Sequence, residues 1–206
     1  MGVVVYFSSC GITQDYKESS YISALKPQLA TDEVYKEPIG ERKIFTDHID
    51  VTYKLFGGKV VRKESPVGEM YYMHVPGLGK MGRKGSPALP MRNDLFEIPW
   101  DSKPSIEIME VVYVTYDNLL IYPAQPPMPD VYGAKAPPFY IDEKLYSSNQ
   151  WYPFPIAQIY SDQKAAQKRY VRVLIGCAQQ CPSKRQLRVL SKVKYRLHFN
   201  QKKNIE

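Results

Sequence analysis

Few residues in this chain could do chemistry, and they are scattered. There are three cysteines, Cys10, Cys177 and Cys181, and three histidines, His48, His74 and His198. A cysteine nucleophile needs an adjacent base and a depressed thiol pKa. Cys177 closes an apolar strand pattern, Cys181 is locked in front of Pro182, and neither has a histidine near it in sequence. The acidic pairs are Asp32-Glu33, Asp47 with Asp50, and Asp142-Glu143. Glycoside hydrolysis needs two carboxylates held across a cleft, whereas solvated turns and helix caps account for these pairs more simply. Gly77-Leu78-Gly79 and Gly82-Arg83-Lys84-Gly85 look loosely like a phosphate loop. They lack the Gly-Lys-Ser/Thr that leads into a helix, and Pro87 and Pro90 demand an extended path. These residues assign no catalytic side chain, metal site or cofactor. Three cysteines also cannot build a framework of bridges. Cys177 and Cys181, four apart around an expected turn, either pair in an oxidising compartment or stay as buried thiols.

The informative residues are instead Pro and Gly, placed at fixed joints between apolar pieces. One stretch runs from Met73 to Pro99 and another from Ile121 to Tyr152. Six prolines, Pro123, Pro126, Pro127, Pro129, Pro137 and Pro138, crowd a segment of sixteen residues. Proline lacks the amide N–H and restrains the residue before it. The segment must therefore be extended and exposed, as a connection or a peptide-like arm.

The elements around these joints read as strands. Phe45, Ile49, Val51, Tyr53 and Leu55 alternate, interrupted by Asp47, and Gly57-Gly58 then suggests a hairpin into Lys59-Val60-Val61. Tyr71, Met73 and Val75 share one face. Met91 to Ile98, Ser105 to Tyr116 (with a bulge near Met109), Leu119 to Tyr122 and Arg169 to Ile175 follow. The cleanest pattern is Leu187, Val189, Val193, Tyr195, Leu197 and Phe199 against Arg188, Lys192, Lys194, Arg196 and His198. Asp142 to Gln150 holds one helical turn. The pattern predicts an all-β fold, an antiparallel β-sandwich of about nine or ten strands with little helix. Residues 1–42 read as an N-terminal arm, 43–200 as the sandwich and 201–206 as a tail.

The chain has 206 residues, 44% apolar and 24% charged, a globular balance with enough length for a core. The net charge of +7 is unevenly placed. From Lys164 to Glu206 there are 12 Lys and Arg against one Glu, leaving 16 basic and 20 acidic residues elsewhere. A basic stretch can attract nucleic acid, but no aromatic RNA-binding signature or zinc module accompanies it. Wet faces of basic strands are the simpler reading. Met1 to Gly11 is a short apolar run, then small residues around Cys10. Cys10 stands where a bacterial lipoprotein carries its acylated cysteine, although the run is short and has no basic start. The alternative is an edge strand. A lipid on Cys10 is the one membrane attachment the sequence offers.

The joints also occur in a telling order: Val75-Pro76-Gly77, Gly85-Ser86-Pro87-Ala88-Leu89-Pro90, Ile98-Pro99, Ile121-Tyr122-Pro123-Ala124-Gln125-Pro126-Pro127, then Leu145-Tyr146-Ser147-Ser148-Asn149-Gln150-Trp151-Tyr152-Pro153. Val171 to Ile175, Cys181-Pro182 and Leu187-Arg188-Val189 close the series. Over about residues 45–199 this resembles the propeptide domain of gingipain-type, caspase-like cysteine peptidases. One departure is Cys177-Ala178, which stands where the family has the first proline of its closing turn. The resemblance implies a β-sandwich that covers the active-site cleft of such a peptidase, keeps it latent and helps it fold. It also implies a loop lying substrate-like in the cleft, with one side chain offered to the specificity pocket. By position that loop comprises Pro126, Pro127, Pro129, Asp130, Lys135 and Pro137. Lys135 would suit enzymes that cut after Arg or Lys. Asp130 stands closer to the expected position, yet an acidic pocket repels it. The implied partner is the peptidase's catalytic domain, originally in cis or else in trans, and the implied location is a bacterial cell envelope, the periplasm or the exterior. Without a peptidase domain before Glu206, the chain reads as an excised propeptide or a stand-alone relative. The competing reading is a surface β-sandwich for adhesion or for binding glycans or proteins, with Trp100, Trp151 and Tyr152 as a platform.

Overall fold

The structure, a computed structural model, describes residues 18–25, 30–165 and 167–200. Twelve strands occur among them. They are β1 (Ser19–Ser23), β2 (Ile39–Ile44), β3 (His48–Lys54), β4 (Gly57–Ser65), β5 (Gly68–His74), β6 (Gly79–Met81), β7 (Leu89–Ile98), β8 (Lys103–Tyr116), β9 (Ala157–Ala165), β10 (Lys168–Gly176), β11 (Ala178–Cys181) and β12 (Gln186–Asn200). One helical turn, α1 (Glu143–Tyr146), is capped by Asp142, whose side chain accepts from the Leu145 N–H at 3.0 Å. The expected helical turn is thus present, and the sheets are antiparallel.

The strand β12 organises the molecule. It pairs β8 along one edge, and first β11 and then β3 along the other, with β2 outside β3. A second sheet, β6-β7-β10-β9, faces this one. Ile49, Val51, Phe96, Ile98, Val171, Val173, Val193 and Leu197 fill the space between them. A smaller sheet, β1-β4-β5, closes the other end over Ile22, Val60, Met73, Tyr116, Leu187 and Val189. At about 3.3 Å per residue, the 14 residues of β8 and 15 of β12 are long enough to serve both cores. Every residue of the apolar face expected for β12 is buried. The expected bulge lies at Met109: Lys194 opposes Glu110 and Tyr195 opposes Ile108, which leaves Met109 without a partner.

Two expectations change. The first concerns Gly57 and Gly58, which make no hairpin. Strand β3 pairs β2 and β12 while β4 pairs β1 and β5, so the chain changes sheet there. Gly57 is required by close approach: a Cβ would lie 2.0 Å from the Ile22 carbonyl oxygen, at φ +142°. The true hairpin joins β2 to β3 through Asp47, closed by the Phe45 N–H donating to the His48 carbonyl at 2.9 Å, and it leaves Phe45 exposed. The second concerns the arm, which contains β1 and most of β2, a strand that crosses the arm's expected boundary at residue 42. All six residues of β2 are exposed, so no apolar period marks it, and backbone pairing to β3 holds it.

The sequence left Cys177 and Cys181 open, as a bridge or as buried thiols. Both are free, buried thiols. Strand β11 runs between them, and four extended residues span about 13 Å, whereas a disulfide needs Cα atoms within about 7 Å. The turn follows Cys181 rather than preceding it, with the Arg185 N–H donating to the Pro182 carbonyl.

Candidate functional site

The segment from Ala124 to Tyr140 leaves the sandwich and returns to the same place, and its foot is built from the Pro/Gly joints. Pro123 bridges Pro87. The Ala88 N–H donates to the Tyr122 carbonyl at 3.1 Å, and Ala124 N–H to Ser86 at 2.8 Å. Gly85 N–H donates to Ala124 at 2.8 Å, and Asp142 N–H to Gly85 at 3.1 Å. Gly85 has φ +83°, and a Cβ there would meet the Tyr140 ring at 2.6 Å. Only glycine fits the join without strain. The buried Ser86 hydroxyl donates to the Arg83 carbonyl at 2.7 Å and lies 3.0 Å from the Tyr152 hydroxyl. The two stretches that stood out in the sequence therefore meet in space.

Below the foot, Gln180 is fully buried. Its amide accepts from the Ile121 N–H at 3.0 Å and donates to the carbonyls of Leu119 and Gln186. The Tyr146 hydroxyl donates to the Ile121 carbonyl at 2.6 Å, and burial pushes that phenol far up. At the neck, one side chain clamps both limbs. Gln125 accepts from the Tyr140 N–H and donates to the Tyr140 carbonyl, each at 2.9 Å.

Beyond the neck the loop is exposed. Pro127, Pro129, Asp130 and Lys135 are exposed, and Pro126 and Pro137 are half-buried. Asp130 and Lys135 flank a turn at the tip, where the Ala134 N–H donates to the Val131 carbonyl at 3.1 Å. Gly133, third in that turn, has the φ of +75° that a type II turn requires. Tyr132, second in the turn, is 106% exposed, Val131 71% and Met128 59%. Sequence reasoning passed over these three apolar residues. The available signal was Tyr-Gly in the middle of a proline-rich arm, a turn pair with a large side chain in front.

The other candidates are placed as follows. Cys10 lies outside the described residues. Burial raises the Cys177 thiol to about 12, the opposite of what a nucleophile needs. His48 sits 2.7 Å from Asp47, His198 3.0 Å from Glu107, and His74 3.2 Å from the Lys80 ammonium. Among the described residues no group of three or more His, Cys, Asp or Glu could hold a metal ion. No helix among them is long and apolar enough to cross a membrane. The aromatic platform is split. Trp100 follows β7 with Lys164 over its ring, whereas Trp151 covers Arg188 and Tyr152 pairs Gln180. The register separates these ends by seven residues of β7 and β10, about 23 Å.

The family model Propeptide_C25 matches residues 47–206. A solved structure that gives structural insight into the zymogenic latency of gingipain K from Porphyromonas gingivalis superposes with a TM-score of 0.71 at 17% identity, over 89% of this chain and 99% of that one. The complex of Porphyromonas gingivalis RgpB pro- and mature domains gives a TM-score of 0.71 at 14% identity, over 80% of this chain and 86% of that one. At these identities the likeness establishes the fold. No curated protein matches the sequence.

Proposed function

The chain belongs to the Propeptide_C25 family, and from that premise we propose that it binds and restrains a gingipain-type cysteine peptidase. The loop from Pro126 to Pro138 lies in the partner's active-site cleft, and the sandwich serves as a non-catalytic platform that also assists the peptidase's folding. The partner is a catalytic domain that acts in cis or in trans, in a bacterial cell envelope, the periplasm or the exterior.

One observation carries this reading: a proline-rich, exposed loop stands on a hydrogen-bonded foot above the buried Gln180. Proline restricts the free loop to extended conformations, so less entropy is lost on binding. The Gln125 clamp joins both limbs at the neck, so the loop leaves and re-enters the sandwich at one place.

The test uses purified chain against C25 peptidases with a fluorogenic peptide as reporter. Submicromolar inhibition is expected from the full chain. A variant with residues 127–138 replaced by a Gly-Ser turn should keep its melting temperature and lose inhibition. Undiminished inhibition by that variant would remove the loop from the mechanism, and failure to inhibit or bind any C25 peptidase would remove the function.

A further inference from the structure

We propose that Tyr132, rather than Asp130 or Lys135, is the side chain this loop offers to the specificity pocket, and that the partner peptidase therefore cleaves after large apolar or aromatic residues. The proposal rests on the loop reading above and deepens it. Tyr132 occupies the second position of the tip turn and is wholly exposed. A loop advanced tip-first into a cleft leads with that position. Asp130 precedes the turn, and Lys135 follows it beyond Ala134.

The chemistry of the tip agrees. Asp130 and Lys135 are the charged residues of segment 126–139, and their charges cancel. A pocket built for a basic side chain offers a carboxylate, which attracts Lys135 but repels Asp130 five residues away. Met128, Val131 and Tyr132 instead are apolar and exposed near the tip, at 59%, 71% and 106%. Exposed apolar side chains grouped on one projection mark a contact surface. Tyrosine delivers a large apolar area with little rotamer entropy, and it is enriched among residues that dominate binding. The positive φ of Gly133 suits the third position of a tight turn, which leaves Tyr132 at the second.

The test titrates the full chain against C25 peptidases profiled with fluorogenic peptides carrying Phe, Tyr, Leu, Lys or Arg at the cleaved position. Tightest inhibition is expected for enzymes that accept Phe, Tyr or Leu. Tyr132→Ala should weaken it about tenfold or more, Tyr132→Phe should stay close to the parent, and Asp130→Ala and Lys135→Ala should change little. Melting temperatures should be unchanged throughout, because these side chains are exposed. The assignment is overturned if the loop replacement abolishes inhibition while Tyr132→Ala retains it. It is also overturned if Asp130→Ala or Lys135→Ala carries the loss, or if the inhibited enzymes all cut after Lys or Arg. Inhibition that survives the loop replacement overturns the loop reading itself, and this assignment with it.

Discussion

At the scale of single residues, the strongest constraint is a buried carboxylate. Asp94 is 2% exposed on β7 and faces inward with Phe96 and Ile98. Its two oxygens accept from Arg42 and Arg92 at 3.1 Å, from the Tyr53 hydroxyl at 2.6 Å and from the Tyr195 hydroxyl at 3.1 Å. Arg42, Tyr53 and Tyr195 come from β2, β3 and β12, so one anion joins the two main sheets. Burial raises both phenols and keeps them as donors. Removing Asp94 leaves the buried Tyr53 and Tyr195 hydroxyls without their acceptor, while Arg42 and Arg92 stay partly in solvent. Asp94→Ala should therefore cost about 2–4 kcal/mol in urea unfolding, and a loss under about 1 kcal/mol would show the cluster to be dispensable. The parity of Asp94 with Phe96 and Ile98 was readable in the sequence, but a lone carboxylate in an alternating strand gives no sign that arginines and tyrosines converge on it.

A second residue-scale prediction concerns pH. Arg196 donates to both oxygens of Asp50, at 2.6 and 2.9 Å, and those hydrogen bonds hold the carboxyl below its usual range. A depressed folded pKa gives stability that is complete above the unfolded value, near 3.9, and is lost as pH falls through the folded one. Unfolding free energy should thus decline below about pH 4, and Asp50→Asn should flatten that decline. An unchanged acid limb would show that Asp50 takes no part in it.

At the scale of elements, strands with a long apolar period were legible: β7, β8, β10 and β12 lie close to their expected bounds. The short β1, β6 and β11, of 5, 3 and 4 residues, have too little length for a period to show. The glycine pair at 57–58 misled because a turn and a close approach of two backbones demand the same residue. The loop's exposure followed from its prolines, whereas its clamp did not: Gln125 and Tyr140 are fifteen residues apart, and nothing local connects them. Gln125→Ala removes both contacts. It should raise hydrogen exchange at the Tyr140 amide and weaken inhibition severalfold while the melting temperature moves little. Unchanged exchange at Tyr140 would mean that the neck is held by its prolines alone.

At the scale of the whole molecule, the uneven charge along the chain is resolved by folding. Basic residues of the C-terminal strands pair with acidic residues from earlier ones: Lys168 with Glu97, Lys192 with Glu110 and Arg196 with Asp50. The basic stretch is thereby partly neutralised across the sheets, which weakens the case for a polyanionic partner. Because β12 serves both cores, Leu197→Ala should destabilise the sandwich as one unit, by about 2–5 kcal/mol. Two separate unfolding transitions would contradict that. The family resemblance was legible in the Pro/Gly joints, since turn chemistry is local. The identity of the leading side chain depends on how far each one stands from the body, which sequence does not encode locally.

The most direct measurement of the central claim is competition at the partner's catalytic cysteine. Binding of the full chain to a C25 peptidase is compared before and after a covalent inhibitor fills the active-site cleft. A loop that lies in the cleft predicts at least about a tenfold loss of affinity with the cleft occupied. Equal affinity for the free and the blocked enzyme would place the contact elsewhere and contradict the account.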